Sequence, residues 1–215
     1  NTLETKEYIG GSLFIVTAGA AANLSEVPAR RVLFDEVDRA ELNVNGEGDP
    51  VALAEARQTT FERNRKSYYP SSPTIKDESI VERLYLRGTQ RHALADCLHC
   101  GEAQPLDFDR LMVSDDGQSA LYPCMHCGAV HTESDKPRMF ARGAWSDGVG
   151  GDGETESFTI SGMFLPYGWL PWIALKREYD KAKAKLDEGS EEAMIAFYNT
   201  RLAKSWERQK EQTKA

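Results

Sequence analysis

The chain has 215 residues, 40% of them hydrophobic, and a net charge of −8. That length holds one large domain or two small ones with a real core, and the acidic balance excludes a uniformly basic nucleic-acid binder while leaving room for a local basic face. No apolar run reaches the roughly eighteen residues of a membrane-spanning helix.

The opening stretch, Asn1 to Gly10, is polar and lacks the basic-then-apolar layout of a signal peptide. It has no initiator Met and enters what reads as the middle of a domain, so the chain is expected to be an internal fragment of a longer protein. Leu13-Phe14-Ile15-Val16-Thr17 reads as an apolar strand, followed by a small-residue turn from Ala18 to Leu24. Arg31-Val32-Leu33-Phe34-Asp35-Glu36-Val37-Asp38 is a second short apolar strand, and it ends in two adjacent carboxylates. In P-loop ATPases this arrangement sets the first carboxylate near Mg²⁺ and lets the second orient and deprotonate the attacking water. The same letters also describe an ordinary strand that ends in solvated acids. Asp49 is placed to cap a helix with Pro50 at its first position, running to about Arg65. Ser67 to Thr74 follows, with the hydroxyl segment Ser72-Pro73-Thr74 at its end. Strand, helix and strand with acids and hydroxyls at successive strand ends is the layout of a parallel-sheet nucleotidase. There, Ser72 and Thr74 would sense the γ-phosphate and relay its loss.

The four cysteines fall in two copies of one pattern, Cys97-Leu-His-Cys100-Gly101 and Cys124-Met-His-Cys127-Gly128. Two thiolates at this spacing can share one tetrahedral centre, and two such knuckles close the site to water and substrate, which makes it structural zinc rather than catalytic. A Gly after the second Cys allows the positive φ that turns the chain around the metal. Residues 101–123 suit a hairpin excursion, with strands over Gln104 to Val113 and Ala120 to Pro123 around the turn Ser114-Asp115-Asp116-Gly117. Two disulfides or a redox pair are the competing readings of the same spacing. His99, His126 and His131 could each replace a ligand, but beside four cysteines they read as surface or packing residues.

Gly148 to Glu156 reads as a mobile, acidic, glycine-rich loop, and Ser157 to Leu165 as a strand ending at the aromatic turn Pro166-Tyr167-Gly168-Trp169. Pro171 opens a helix whose Trp172, Leu175, Tyr179, Ala182 and Leu186 share one face. Gly189 ends it, and Ser190 is placed to cap a second helix with the stripe Met194, Phe197, Tyr198 and Leu202. Lys176, Arg177, Lys181, Lys183 and Lys185 alternate with acids, the pattern of a solvated face, with DNA contact as the alternative.

The order of "TAGAAANL", "RRVLFDEVD", "GEGDPVALAEAR", "SSPTIKDESIVERLY", "CLHCG", "YPCMHCG" and "YGWLPW…EYDKAKAKL" resembles the large terminase subunit of tailed bacteriophages, in the lambda-like group, over roughly residues 15 to 206. The resemblance implies an α/β protein. Residues 1–90 would form part of a P-loop-type parallel-sheet ATPase core, 91–145 a small antiparallel zinc ribbon, and 146–215 a strand and helical connector towards a nuclease domain. It also implies a genome-packaging motor using Mg²⁺ and ATP, which drives double-stranded DNA into a capsid and cuts it with a nuclease domain expected to lie outside this chain. By matching positions, Asp35 resembles the carboxylate that holds Mg²⁺ through water, Glu36 the catalytic glutamate, and Ser72 and Thr74 the coupling segment. The implied partners are DNA, a small terminase subunit, the portal and procapsid and further copies of the chain, in the host cytoplasm with no membrane. No G-x-x-x-x-G-K-[ST] occurs here, and in the family that phosphate loop lies upstream of Asp35. Nor does an acidic cluster suited to two metals follow Trp206. The fragment alone is therefore expected to be inactive. The alternatives are a DEAD-type helicase or translocase with an inserted ribbon, and a non-enzymatic zinc-ribbon adaptor.

Overall fold

The computed structural model describes residues 4–208. The first three residues of the polar opening stretch and residues 209–215 of the C-terminal segment lie outside them. The described chain divides between Ser71 and Ser72 into two compact units.

In the first unit, β1 (Thr5–Tyr8) and β2 (Gly11–Phe14) form an antiparallel hairpin with Tyr8 opposite Gly11. The apolar segment beginning at Leu13 therefore does not join a parallel sheet as the strand–helix–strand layout suggested. Its nearest neighbour in sequence pairs with it first, across the turn Ile9-Gly10, and Leu13, Phe14, Ile15 and Val16 stay exposed. Part of the expected small-residue turn is a short helix, α1 (Ala21–Ser25). It packs on α2 (Pro50–Ala56). β3 (Arg31–Leu33), which precedes α2, runs parallel to β4 (Lys66–Tyr68), which follows it. Ala21, Phe34, Val37, Val44, Val51 and Ala54 make the small core of this unit.

The helix after Asp49 begins as its sequence predicts. The Asp49 carboxylate accepts from Val51 N–H at 2.9 Å and from Ala52 N–H at 3.0 Å, with Pro50 at the first position. It stops at Ala56 rather than Arg65 because the next residues bond to the strands. The Arg57 carbonyl accepts from Ala29 N–H at 3.1 Å. The buried Gln58 amide donates to the carbonyls of Arg30 and Lys66 at 3.2 and 3.1 Å and accepts from Ser67 Oγ at 2.6 Å. One glutamine thus closes the start of both strands.

The second unit starts with α3 (Ile80–Arg87), whose Ser79 cap accepts from Glu82 N–H at 3.1 Å. β5 (Arg91–His92) is followed by β6 (Ala95–Asp96), antiparallel to β7 (Ala103–Gln104). Next, β8 (Met112–Val113), β9 (Ala120–Pro123) and β10 (Val130–His131) form an antiparallel sheet in the order β10–β9–β8. The strand expected over Gln104 to Val113 is interrupted by a 3₁₀ turn at Phe108–Arg110, which Asp107 starts and which turns Phe108 into the core. After α4 (Lys136–Met139), β11 (Phe158–Thr159) runs parallel to β5.

The expected strand from Ser157 to Leu165 shortens to β11 because Gly162–Phe164 forms a 3₁₀ turn capped by Ser161. There Gly162 lies against the end of the second long helix, and a Cβ at that position would meet the Arg201 carbonyl at 2.8 Å. The glycine-rich loop before β11 is bonded along its length, with Val149 N–H on the Thr89 carbonyl and Asp152 N–H on the Arg87 carbonyl, both at 3.0 Å.

The chain ends in α5 (Trp172–Asp187) and α6 (Glu192–Arg201), packed against each other. Trp172, Leu175 and Ala182 of α5 and Met194, Phe197 and Leu202 from the second stripe are buried as their spacing predicts. They join Phe108, Tyr122, Met139 and Met163 in one continuous core. Ser190 does not cap α6. Glu191 takes the position before the helix without a side-chain bond, because the Ser190 N–H closes the preceding turn on the Lys185 carbonyl. No described helix is long and apolar enough to cross a membrane.

Candidate functional site

Each cysteine pair sits at the tip of one hairpin of the second unit, β6–β7 for the first and β9–β10 for the second. Within each knuckle the chain repeats one geometry. Gly101 N–H donates to the Cys97 carbonyl at 2.9 Å and Gly128 N–H to the Cys124 carbonyl at 3.0 Å, with φ of +79° and +74° at the glycines. His99 N–H points at the Cys97 sulfur (3.4 Å) and His126 N–H at the Cys124 sulfur (3.3 Å). A side chain at either glycine would be strained, which is the physical reason for the Cys-Gly sequence.

The two tips bring all four sulfurs within 4.8 Å of one another. Cys97 Sγ lies 3.7 Å from Cys127 Sγ, and Cys100 Sγ lies 3.9 Å from Cys124 Sγ. A tetrahedron with metal–sulfur bonds of about 2.3 Å has sulfur–sulfur edges of about 3.8 Å. A disulfide needs about 2.05 Å, and all four cysteines are free. The cluster therefore fits one tetrahedral metal ion better than either competing reading of its spacing. Among the described residues it is the one group of three or more His, Cys, Asp or Glu side chains placed to hold a metal.

The electrostatics agree. Burial opposes ionisation of Cys124, but backbone N–H groups of Cys127 and His126 and the neighbouring sulfurs outweigh it and bring the thiol down to about 6. At Cys100 the Glu102 backbone favours the thiolate, yet burial and the other three sulfurs push the group up to about 12. Four thiols so close cannot all ionise without a cation between them.

Two buried polar groups stand beside the cysteines, His131, which the sequence reads as a surface or packing residue, and Lys136, which no sequence signal marks. His131, 2% exposed, places Nε2 3.2 Å from the Cys97 sulfur, and burial lowers its pKa. His99 and His126 are exposed, as expected. Lys136 is fully buried, 2.7 Å from Glu133 and 4.9 Å from the centre of the Trp172 ring. Burial pulls its ammonium below the usual lysine range, and the Glu133 carboxylate opposes that pull. The same carboxylate accepts from Trp172 N–H at 2.9 Å, while the indole N–H donates to the Met163 carbonyl. These bonds fasten the ribbon to α5, where the Tyr122 ring packs on Trp172 at 5.8 Å.

Asp35 and Glu36 belong to the first unit. The parallel ladder continues past β3, with Phe34 N–H on the Tyr68 carbonyl at 3.0 Å and Glu36 N–H on the Pro70 carbonyl at 2.9 Å. Pro70, two residues past the end of β4, has no N–H to give, so it can only accept. Asp35 and Glu36 lie at the carboxyl end of β3 and are exposed. Glu36 adopts a left-handed backbone at φ 52° and ψ 46°, which turns the chain into the 3₁₀ turn Val37–Arg39. Arg39 lies 3.8 Å from its carboxylate. Ser72 and Thr74 fall in the second unit, both half-buried beside the buried Pro73. The Thr74 carbonyl accepts from Trp206 N–H at 2.9 Å, and Lys76 N–H returns a bond to the Trp206 carbonyl at 3.0 Å. With its amide oriented to place nitrogen inward, Asn199 donates to the carbonyls of Thr74 and Lys204 at 3.0 Å each. The structure thus gathers the four cysteines into one site, and places the acidic pair and the hydroxyl segment each in its own unit.

Of the basic residues on α5, Lys176 stacks over the Phe108 and Tyr179 rings at 5.1 and 5.5 Å, and Arg177 donates to the Gly117 carbonyl at 3.2 Å. Lys181, Lys183 and Lys185 are exposed.

The model of the ATPase domain of the phage terminase large subunit gpA matches residues 1–145. The chain belongs to this family. The endonuclease-domain model of the same terminase subunit matches residues 155–215, the stretch that holds β11, α5 and α6. No curated protein and no solved structure matches the chain. Membership of the terminase family carries ATPase and endonuclease activity as general properties of such subunits.

Proposed function

We propose that this terminase chain is part of a motor subunit that couples ATP hydrolysis to translocation of double-stranded DNA into a capsid, with cleavage by its nuclease domain. The observation that carries the reading is the acidic pair at the carboxyl end of a parallel strand, inside the segment that matches the ATPase domain. Ligands of open parallel sheets gather at that end. In this reading Asp35 holds Mg²⁺ through water, and Glu36 takes the proton of the attacking water. The left-handed backbone at Glu36 turns the chain out of the ladder, and the Arg39 guanidinium lies 3.8 Å from its carboxylate.

Ser72 and Thr74 act as the coupling segment. What supports this is the bonding of Thr74 and Lys76 to Trp206 and of Thr74 to Asn199, because both partners lie in the stretch that matches the endonuclease domain. A shift of the hydroxyl segment would be felt there directly.

Cys97, Cys100, Cys124 and Cys127 hold structural Zn²⁺, supported by sulfur–sulfur spacings that suit its bond length. The ion would join two hairpin tips that otherwise repel as thiolates, and four protein ligands leave no position for substrate. Its partners in this reading are DNA, the small terminase subunit, the portal and procapsid, and further copies of the chain, in the host cytoplasm. The chain by itself, without a phosphate loop, does not turn over ATP.

The test is Glu36→Gln in a full-length terminase subunit that carries this sequence. Hydrolysis should fall by about 10²-fold or more, the scale of a lost general base, with ATP binding retained. Unchanged turnover removes Glu36 from the mechanism.

A further inference from the structure

The two cysteine knuckles match in backbone turn and in the N–H···S bond to their first sulfur, but among the described residues an imidazole reaches only the first of those two sulfurs. His131 of β10 sits opposite Tyr122 of β9 in the antiparallel register. β9 leads into the second knuckle at Cys124, yet the His131 ring reaches the sulfur of the first, with Nε2 3.2 Å from Cys97 Sγ. Both residues are 2% exposed, so water does not compete for that contact. Cys97 Sγ also faces the N–H groups of His99 at 3.4 Å and Cys100 at 3.5 Å.

We infer that His131 is a positioning residue of the metal centre, whose Nε2–H donates to the Cys97 sulfur and ties the second hairpin to the first knuckle. The inference rests on the zinc reading of the four cysteines. A metal-bound thiolate keeps negative charge and free lone pairs, and a buried one needs donors. The ring supplies a third donor to Cys97 and holds that ligand in place without occupying a coordination position. Cys100 and Cys127 are the exposed ligands, so metal loss begins at them, while Cys97 keeps its geometry through the imidazole. Outer-shell partners of this kind commonly alter metal affinity by about 10–100-fold when removed.

The experiment loads the chain with zinc and reads two things. Long-range ¹⁵N–¹H correlation on the wild type should show His131 as the Nε2–H tautomer. Zinc release to excess chelator should be about tenfold faster for His131→Phe than for the wild type. His131→Gln, which keeps a donor, should recover part of the difference. Substitution with Co²⁺ should give the thiolate charge-transfer intensity of four sulfurs in both wild type and His131→Phe. An Nδ1–H tautomer, a His131→Phe release rate equal to the wild type, or a Co²⁺ spectrum that reports a nitrogen ligand would each overturn the inference. If His131→Phe does not fold, the wild-type tautomer still decides. A wild type that takes up no zinc overturns the metal reading itself, and is told apart by its metal content.

Discussion

In the first unit Asp35 and Glu36 end a two-stranded parallel sheet whose Leu33 and Tyr68 remain 69% and 66% exposed. In the second unit the cysteines sit on hairpins whose inner face is closed, Tyr122 and Trp172 both being 0% exposed. The difference is one of how much structure each site needs. A four-cysteine cluster is assembled from two tight turns on two small sheets, and the residues between and beside the cysteines supply nearly all of it. A carboxylate pair at a strand end becomes a nucleotide site only when other strand ends and a phosphate-binding loop converge on it. The cysteine cluster therefore carries its own geometry, whereas the acidic pair carries a direction.

This contrast can be broken most severely at the cysteine cluster and the zinc proposed for it. Chelation, or Cys124→Ser, should unfold the ribbon because metal binding and folding of such a module are one equilibrium. Near-ultraviolet circular dichroism from Tyr122 and Trp172 should collapse, while amide protection at Phe34 and Glu36 in the first unit persists. Equal loss in both units would erase the distinction. Next in size is Trp172→Ala, which removes the ring shared by Tyr122 and Lys136 and should cost about 3–5 kcal/mol. Denaturant unfolding measures it, and a cost below about 1 kcal/mol would show that the helices and ribbon do not share a core. The smallest effect is expected at Gln58→Ala. Leaving the carbonyls of Arg30 and Lys66 without their buried donor should cost about 1–3 kcal/mol. Hydrogen exchange should accelerate at Phe34 and Glu36 but not in β9, and the reverse pattern would assign Gln58 to the wrong unit.

How much could be read in advance follows the range of each interaction. Asp49-Pro50 starts a helix through contacts to the next two residues, and the structure has it. The Cys-x-x-Cys-Gly turns, the strand Ala120–Pro123 and the apolar faces of α5 and α6 are of the same kind. Where a local pattern met a competing partner, the partner prevailed. Leu13 and Phe14 paired with Thr5 and Lys6 rather than entering a parallel sheet. The helix after Pro50 gave way at Arg57 and Gln58 because their polar groups had strands to bond. No periodicity marks Gln58, Lys136 or His131, since a buried polar side chain is defined by what it touches.

By itself the sequence determined the four-cysteine cluster, the acidic strand end, the helical hairpin and the resemblance that the family match bears out. All of these rest on residue type at fixed short spacing. Only the tertiary structure decided that a histidine from one knuckle's hairpin lies on the other knuckle's sulfur, and that a lysine is sealed between Glu133 and Trp172. The tie between Thr74 and Trp206 is equally its work. Such contacts join residues far apart in the chain, and their energy depends on burial and direction, which no local spacing encodes.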